Sequence, residues 1–142
     1  MLNEPVLIDT GPLISIYSSD DLHHSACIDQ LGKLPVGKTY TCWPVVTEAA
    51  YMLRHHPAQR DDLLQSIIDG DLLLLSLRDG DLKEVRDIFQ TYRDQQLDLA
   101  DAALLHLANR EGISAVFTLD RRHFSVFRRQ SGQPLHLLPD SL

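Results

Sequence analysis

Hydrophobic positions along this chain come in two alternating patterns. Short aliphatic runs end at turn residues, and longer stretches repeat their apolar positions every three or four residues. Val6, Leu7 and Ile8 form the first run, which ends at Asp9-Thr10-Gly11-Pro12. That is a strand with a tight exit, and Pro12 suits the first turn of a helix over about residues 13–18. Ser19, Asp20 and Asp21 can cap a second helix carrying Leu22, Ala26, Ile28 and Leu31 and ending near Gly32. Thr39 to Cys42 is rich in strand formers, and Pro44 opens another helix with Val45, Ala49, Met52 and Leu53 at helical spacing. That helix stops at His56-Pro57. Residues 58–69 repeat the helical pattern, and 72–77 read as a buried strand after the Gly70-Asp71 turn. Helices are predicted over 81–95 and 98–111, the latter stopped by Gly112, with strands at 116–119 and 135–138.

Four or five short apolar strands separated by helices predict an α/β fold: three layers, α/β/α, around a central parallel sheet. No repeat, linker or low-complexity stretch interrupts the pattern, so the reading is a single domain over 1–142. Composition adds little: 44% hydrophobic and 23% charged residues are ordinary for a globular chain. No apolar stretch is long enough to span a bilayer and the N-terminus has no signal-peptide character, so the expected location is cytoplasmic. Cys27 and Cys42 read as reduced core residues.

Charge changes the picture more. The net charge of −7 argues against a general polyanion binder. Yet residues 121–139 hold no acid and four arginines, Arg121, Arg122, Arg128 and Arg129, which leaves −11 for the rest. These arginines are candidates for gripping a phosphate backbone, or an ordinary solvated surface.

The chemistry lies in the acids. Ligands of open α/β sheets bind at the carboxyl ends of the strands, where Asp9 and Asp120 directly follow two predicted strands. Glu48 and Asp101 sit on largely apolar helical stripes, flanked at three and four residues by side chains such as Val45, Met52, Leu97, Leu104 and Leu105. A buried acid is costly unless a charge compensates it, and a hard divalent cation does so through oxygen ligands. Local explanations exist for some of these acids. Asp is common in turns, and for Asp98 helix capping is the preferred reading. Glu48 caps nothing, and the joint pattern carries more weight than any one member. The adjacent pairs His23-His24 and His55-His56 lack ligand spacing, and no nucleophile triad or phosphate-binding glycine loop is present.

Four stretches then resemble the PIN-domain family, and its VapC-like toxin branch in particular: residues 6–14 (VLIDTGPLI), 43–51 (WPVVTEAAY), 97–104 (LDLADAAL) and 116–124 (VFTLDRRHF). They stand in the family's order and spacing. The resemblance implies a Rossmann-like PIN fold and a Mg²⁺- or Mn²⁺-dependent endoribonuclease. It implies that Asp9, Glu48, Asp101 and Asp120 form the catalytic, metal-holding set, with Asp9 and Asp101 the principal ligands. Thr10 and Thr118 match small hydroxyl positions kept beside the acids, and Asp98 supports them. An RNA substrate, a small antitoxin protein and a homodimer are the implied partners. One departure is Gly11, where many such toxins have Asn. The alternative is a catalytically silent PIN-fold module that binds RNA or protein.

Overall fold

The structure is a computed structural model and describes residues 3–141. Its centre is a five-stranded, wholly parallel sheet in the order β3-β2-β1-β4-β5: β1 (Val6–Ile8), β2 (Thr39–Thr41), β3 (Leu73–Leu74), β4 (Ala115–Phe117) and β5 (His136–Leu138). The expected three-layer α/β/α architecture is what forms. β1 and β4 are buried at every position, as aliphatic strands covered on both faces must be. The chain winds outward from β1 through β2 to β3, then returns to place β4 on the other side of β1. This reversal puts a topological switch point between β1 and β4, where the connections leave in opposite directions.

Residues 72–77 were expected to form a buried strand, but only Leu73 and Leu74 pair, and both are half-buried. β3 lies at the sheet edge, so one side of its ladder has no partner and the pairing ends quickly.

Helix α1 (Thr10–Tyr17) starts directly after Asp9, earlier than the position of Pro12 suggested. Pro12 is the third helical residue, where its missing N–H has no intrahelical acceptor to lose. Helix α2 (His24–Leu31) starts later than expected. Asp21 does not cap it; its Oδ1 accepts Ser15 Oγ at 2.7 Å and His23 N at 2.8 Å. Leu22 is 90% exposed, and the helix buries Cys27 and Gln30 rather than the predicted stripe. Helix α3 (Trp43–Met52) carries Pro44 in its first two positions, as predicted, and α4 (Pro57–Ile68) starts on Pro57, which the sequence pattern marks only as the stop of the helix before it. α5 (Leu82–Thr91) is shorter than the predicted 81–95 because the turns Asp79–Asp81 and Arg93–Gln95 at its ends tighten to 3₁₀ geometry.

Helix α6 (Leu99–Glu111) is buried without a break from Ala100 to Ala108 and packs against α3 and α5. Its alanines at 100, 102, 103 and 108 let those neighbours approach closely. Gly112 ends it in the left-handed region, φ 68°, a conformation that favours glycine. A four-residue helix, α7 (Arg121–Phe124), was not anticipated. It is pinned by Phe124, fully buried with its ring centroid 5.1 Å from Phe127 in an edge-on contact, while Tyr92 packs at a 60° tilt against Phe127 at 4.9 Å. That anchor fixes everything at the start of α7. Cys27 and Cys42 are both free and buried. No helix among the described residues is long and apolar enough to cross a membrane.

Candidate active site

Because all five strands run the same way, their carboxyl ends share one edge, and a cleft of about 380 Å³ opens there. Asp9, Glu48, Asp101 and Asp120 all line it, together with Thr10, Gly11, Gln96, Asp98, Leu119 and His123. Acids separated by up to 111 positions in the chain therefore meet at one place. Each arrives on a different element: Asp9 at the end of β1, Glu48 inside α3, Asp101 in the first turn of α6, and Asp120 between β4 and α7.

Local explanations fail for Asp9. It occupies the N-cap position of α1, yet its side chain makes no capping bond. Its Oδ2 accepts instead from the fully buried Thr118 hydroxyl at 2.8 Å. Thr118 Oγ1 also accepts from Asp120 N at 2.9 Å, so one threonine ties the acid after β1 to the backbone of the acid after β4. Asp9 is only 6% exposed, and its carboxyl is pushed up to about 6, chiefly because burial penalises its charge. Thr10 N–H and Thr118 favour the charged form; Asp120 and Asp98 oppose it.

Asp98 is a helix cap by geometry. Its Oδ1 accepts Asp101 N at 2.9 Å, and Asp101 Oδ2 reaches back to Asp98 N at 3.4 Å. It still faces the cleft: beside it, Glu48 is pushed up to about 7 by burial first, and then by the hydrogen bond and charge of the Asp98 carboxyl. Asp101 is likewise raised to about 7, by burial and by the charges of Asp98, Asp9 and Asp120. The four acids and Asp98 thus form one electrostatic unit. Among the described residues no lysine or arginine lines the cleft to relieve it.

Asp120 is held by α7. Its Oδ1 accepts His123 N at 3.0 Å, and its Oδ2 lies 2.8 Å from His123 Nδ1. His123 Nδ1 also stands 3.9 Å from Asp101 Oδ2. Asp101, Asp120 and His123 offer ligand atoms that all lie within 4.8 Å of one another. His123 was not singled out from the sequence. Its signal was the spacing of three residues from Asp120, but that spacing brings side chains together only in a helix, and no helix was predicted there. Gln96, at φ 54° in the left-handed region, was also missed.

The four arginines fare differently. None lines the cleft. Arg121 donates to the Pro139 carbonyl, and Arg128 Nη1 donates to the Ser125 and Phe127 carbonyls at 2.9 and 2.8 Å. Arg129 Nε is buried without a partner, and Arg122 is exposed. Gly11, the departure from the family pattern, sits so that an added Cβ would touch Leu119 at 3.4 Å, an ordinary packing contact.

The donor set suits a divalent cation: hard carboxylate oxygens with charge to spare, and no lysine or arginine among the described residues lining the cleft. A second observation agrees. Thr10 Oγ1 is buried at the cleft wall, close enough to favour the charged form of Glu48, yet it has no partner within hydrogen-bond geometry. An orphaned hydroxyl of this kind is costly unless another group completes the site.

Comparison with known proteins identifies the family. The PIN domain family matches residues 6–130. The chain is 30% identical to Ribonuclease VapC26 of Mycobacterium tuberculosis over 139 residues, which is 94% of this chain and all of that protein. Among solved structures, Mycobacterium tuberculosis VapC20, described as a sarcin-ricin loop cleaving toxin, superposes with a TM-score of 0.75 at 12% identity, covering 82% of this chain and 91% of that one. A toxin–antitoxin complex from Klebsiella pneumoniae gives 0.68 at 16% identity, with 86% and 92% covered. At those identities the structures speak for the fold. With all four acids of its motifs gathered at one sheet edge, the chain belongs to the PIN-domain family, in its VapC-like branch.

Proposed function

We propose that this chain is a divalent-cation-dependent endoribonuclease, a single cytoplasmic domain acting as the toxin of a toxin–antitoxin pair. The observation that carries this reading is the convergence of Asp9, Glu48, Asp101 and Asp120 on one cleft, with no lysine or arginine among the described residues lining it. The ribonuclease relative, matched over its whole length, supports the substrate class. Asp9, Asp101, Asp120 and Glu48 would hold Mg²⁺ or Mn²⁺. When bound, such an ion neutralises the carboxylates, lowers the pKa of water and stabilises charge developing on a phosphodiester.

The protein's own groups have distinct tasks. Thr118 fixes the Asp9 carboxylate and the Asp120 backbone in one frame. Asp98 fixes the first turn of α6 and with it Asp101. Glu48, raised to about 7 by burial and by Asp98, holds a proton near neutral pH only while no cation is bound, and would serve as an anionic ligand once one fills the cleft. Arg122, exposed one residue into α7 beyond Arg121, is the arginine best placed to meet an RNA backbone at the rim. Arg121, Arg128 and Arg129 would contribute to the surrounding potential. A partner fits the large apolar side chains left exposed, including Leu22 (90%), Val36 (99%), Trp43 (60%) and Tyr51 (62%). A small antitoxin and a second copy of the chain are the occupants this reading expects.

The test is cleavage of a structured RNA by the purified chain in Mn²⁺, with and without chelator, alongside Asp9→Asn. Cleavage that the chelator abolishes and that drops at least about 100-fold in the variant is expected, the scale set by loss of one charged group at such a centre. RNA that is bound but never cut would favour the silent binding module.

A further inference from the structure

His123 differs from the acids of the cleft in offering nitrogen rather than oxygen. It comes from α7, a helix of only four residues, and Phe124 beside it is locked in the core. Its ring is therefore aimed by packing. The backbone N–H of His123 takes one oxygen of Asp120, which leaves the other oxygen beside Nδ1. Nδ1 then lies 2.8 Å from Asp120 Oδ2 and 3.9 Å from Asp101 Oδ2. Neighbouring ligands of one six-coordinate ion with bonds of about 2.1 Å stand roughly 3 Å apart, and opposite ones roughly 4.2 Å. The two separations from Nδ1 lie close to those values, and all three ligand atoms stand within 4.8 Å of one another. The Thr10 hydroxyl, 5% exposed at the same cleft wall, faces Glu48 and makes no hydrogen bond of good geometry among the described residues.

We propose that His123 Nδ1 is a direct ligand of the cation held between Asp101 and Asp120, and that this nitrogen makes the centre prefer Mn²⁺ to Mg²⁺. The proposal rests on the metal-dependent reading above. The chemistry follows from ligand softness: Mg²⁺ takes oxygen almost to the exclusion of nitrogen, whereas imidazole is a good ligand for transition-metal ions. To hold the ion the ring would carry its hydrogen on Nε2 and give up the hydrogen bond between Nδ1 and Asp120 Oδ2, so that the Nδ1 lone pair faces the cation. If the imidazole only steadied Asp120 by hydrogen bonding, replacing it would weaken both ions alike.

The experiment combines pulsed electron paramagnetic resonance of bound Mn²⁺ with calorimetric titration of Mn²⁺ and Mg²⁺ separately. Wild type, His123→Gln, His123→Asp and Asp101→Asn are compared, each checked for folding by circular dichroism. Wild type is expected to show ¹⁴N coupling of directly bound imidazole, absent in both His123 variants. His123→Gln should weaken Mn²⁺ about 10-fold or more and Mg²⁺ less than about 2-fold, the range seen when a metal site loses a supporting group. His123→Asp, which returns an oxygen, should bind Mg²⁺ at least as well as wild type while the Mn²⁺ preference falls. Mn²⁺ that binds in wild type and is lost in Asp101→Asn, but shows no ¹⁴N coupling and equal weakening of both ions in His123→Gln, overturns the inference and leaves the nuclease reading standing. Mn²⁺ that binds nowhere in wild type, or is unaffected by Asp101→Asn, overturns both.

Discussion

Helix α6 carries two carboxylate environments at its two ends, and they are built on opposite principles. Beside its C-terminal half, Asp81 accepts Arg78 N at 2.8 Å, His106 Nε2 lies 2.8 Å away, and Arg110 Nη1 donates at 3.0 Å. The protein provides every partner, and the Asp81 carboxyl is held down to about 2, chiefly by the backbone N–H of Arg78 and then by His106 and Arg110. At the other end, Asp101 faces Asp9, Asp98 and Asp120, and its carboxyl is pushed up to about 7. Both lie in clefts and both touch a histidine, so location and neighbours by type do not separate them. What separates them is whether the fold itself neutralises the charge. A carboxylate completed from within fastens α6 to the turn before α5; one left incomplete is available for chemistry.

The largest effect that sharpens this contrast is on RNA cleavage. Asp101→Asn should lower cleavage in Mn²⁺ by about 100-fold or more, whereas Asp81→Asn should leave it within about 3-fold, because no ligand or substrate is asked of Asp81. Comparable losses from both substitutions, measured on folded protein, would erase the distinction. Next in size is stability. Asp81→Asn leaves Arg110 and His106 facing a neutral amide, and it should cost about 1–2 kcal/mol, or roughly 3–7 °C in melting temperature. No loss of melting temperature would mean that this network is merely decorative.

The legibility of the two regions differs for the same reason. The cleft acids were readable because each stands at a place the fold class singles out: Asp9 after a strand, Glu48 after a proline-started helix, and Asp120 after a strand. The Asp81 network was not readable. It joins residues 25 and 29 positions apart through a 3₁₀ turn that no periodicity announces. His123 was missed for a related reason, since four-residue helices leave no repeating pattern. The arginines were visible as a charge cluster, but a count of charges cannot tell that Arg121 and Arg128 spend their donors on carbonyls. The apolar stripe expected on α2 ignored that a helix at the outside of the layer can leave Ile28 and Leu31 about 40% exposed.

Smallest in magnitude, but most diagnostic, is a difference in sign. In metal-free protein at pH 8, Asp101 must fold as a buried anion. Its folded carboxyl holds a proton up to about pH 7, while the unfolded one releases it near the ordinary value of 3.8. Folding therefore takes up a proton between those limits, and stability falls as pH rises from about 4 towards 7. Asn removes that cost, so Asp101→Asn should raise metal-free stability at pH 8 by about 1 kcal/mol, a figure kept below the full pKa conversion because solvent enters the cleft. The gain should vanish at pH 4. Asp81 has the reverse sign: its folded carboxyl is lowered to about 2, so its contribution is complete above about pH 4 and is lost as pH falls through 2. The same Asp→Asn exchange at pH 8 should thus stabilise at one end of α6 and destabilise at the other. Adding Mn²⁺ should reverse only the first, since a ligand at 100 times its Kd contributes about 2.7 kcal/mol to wild type and none to a variant that no longer binds it. Thermal melts of both variants at pH 4 and pH 8, with and without Mn²⁺, read this directly. Equal signs at pH 8 would mean that the cleft acids are as fully compensated by the protein as Asp81, and that no cation is needed to complete them.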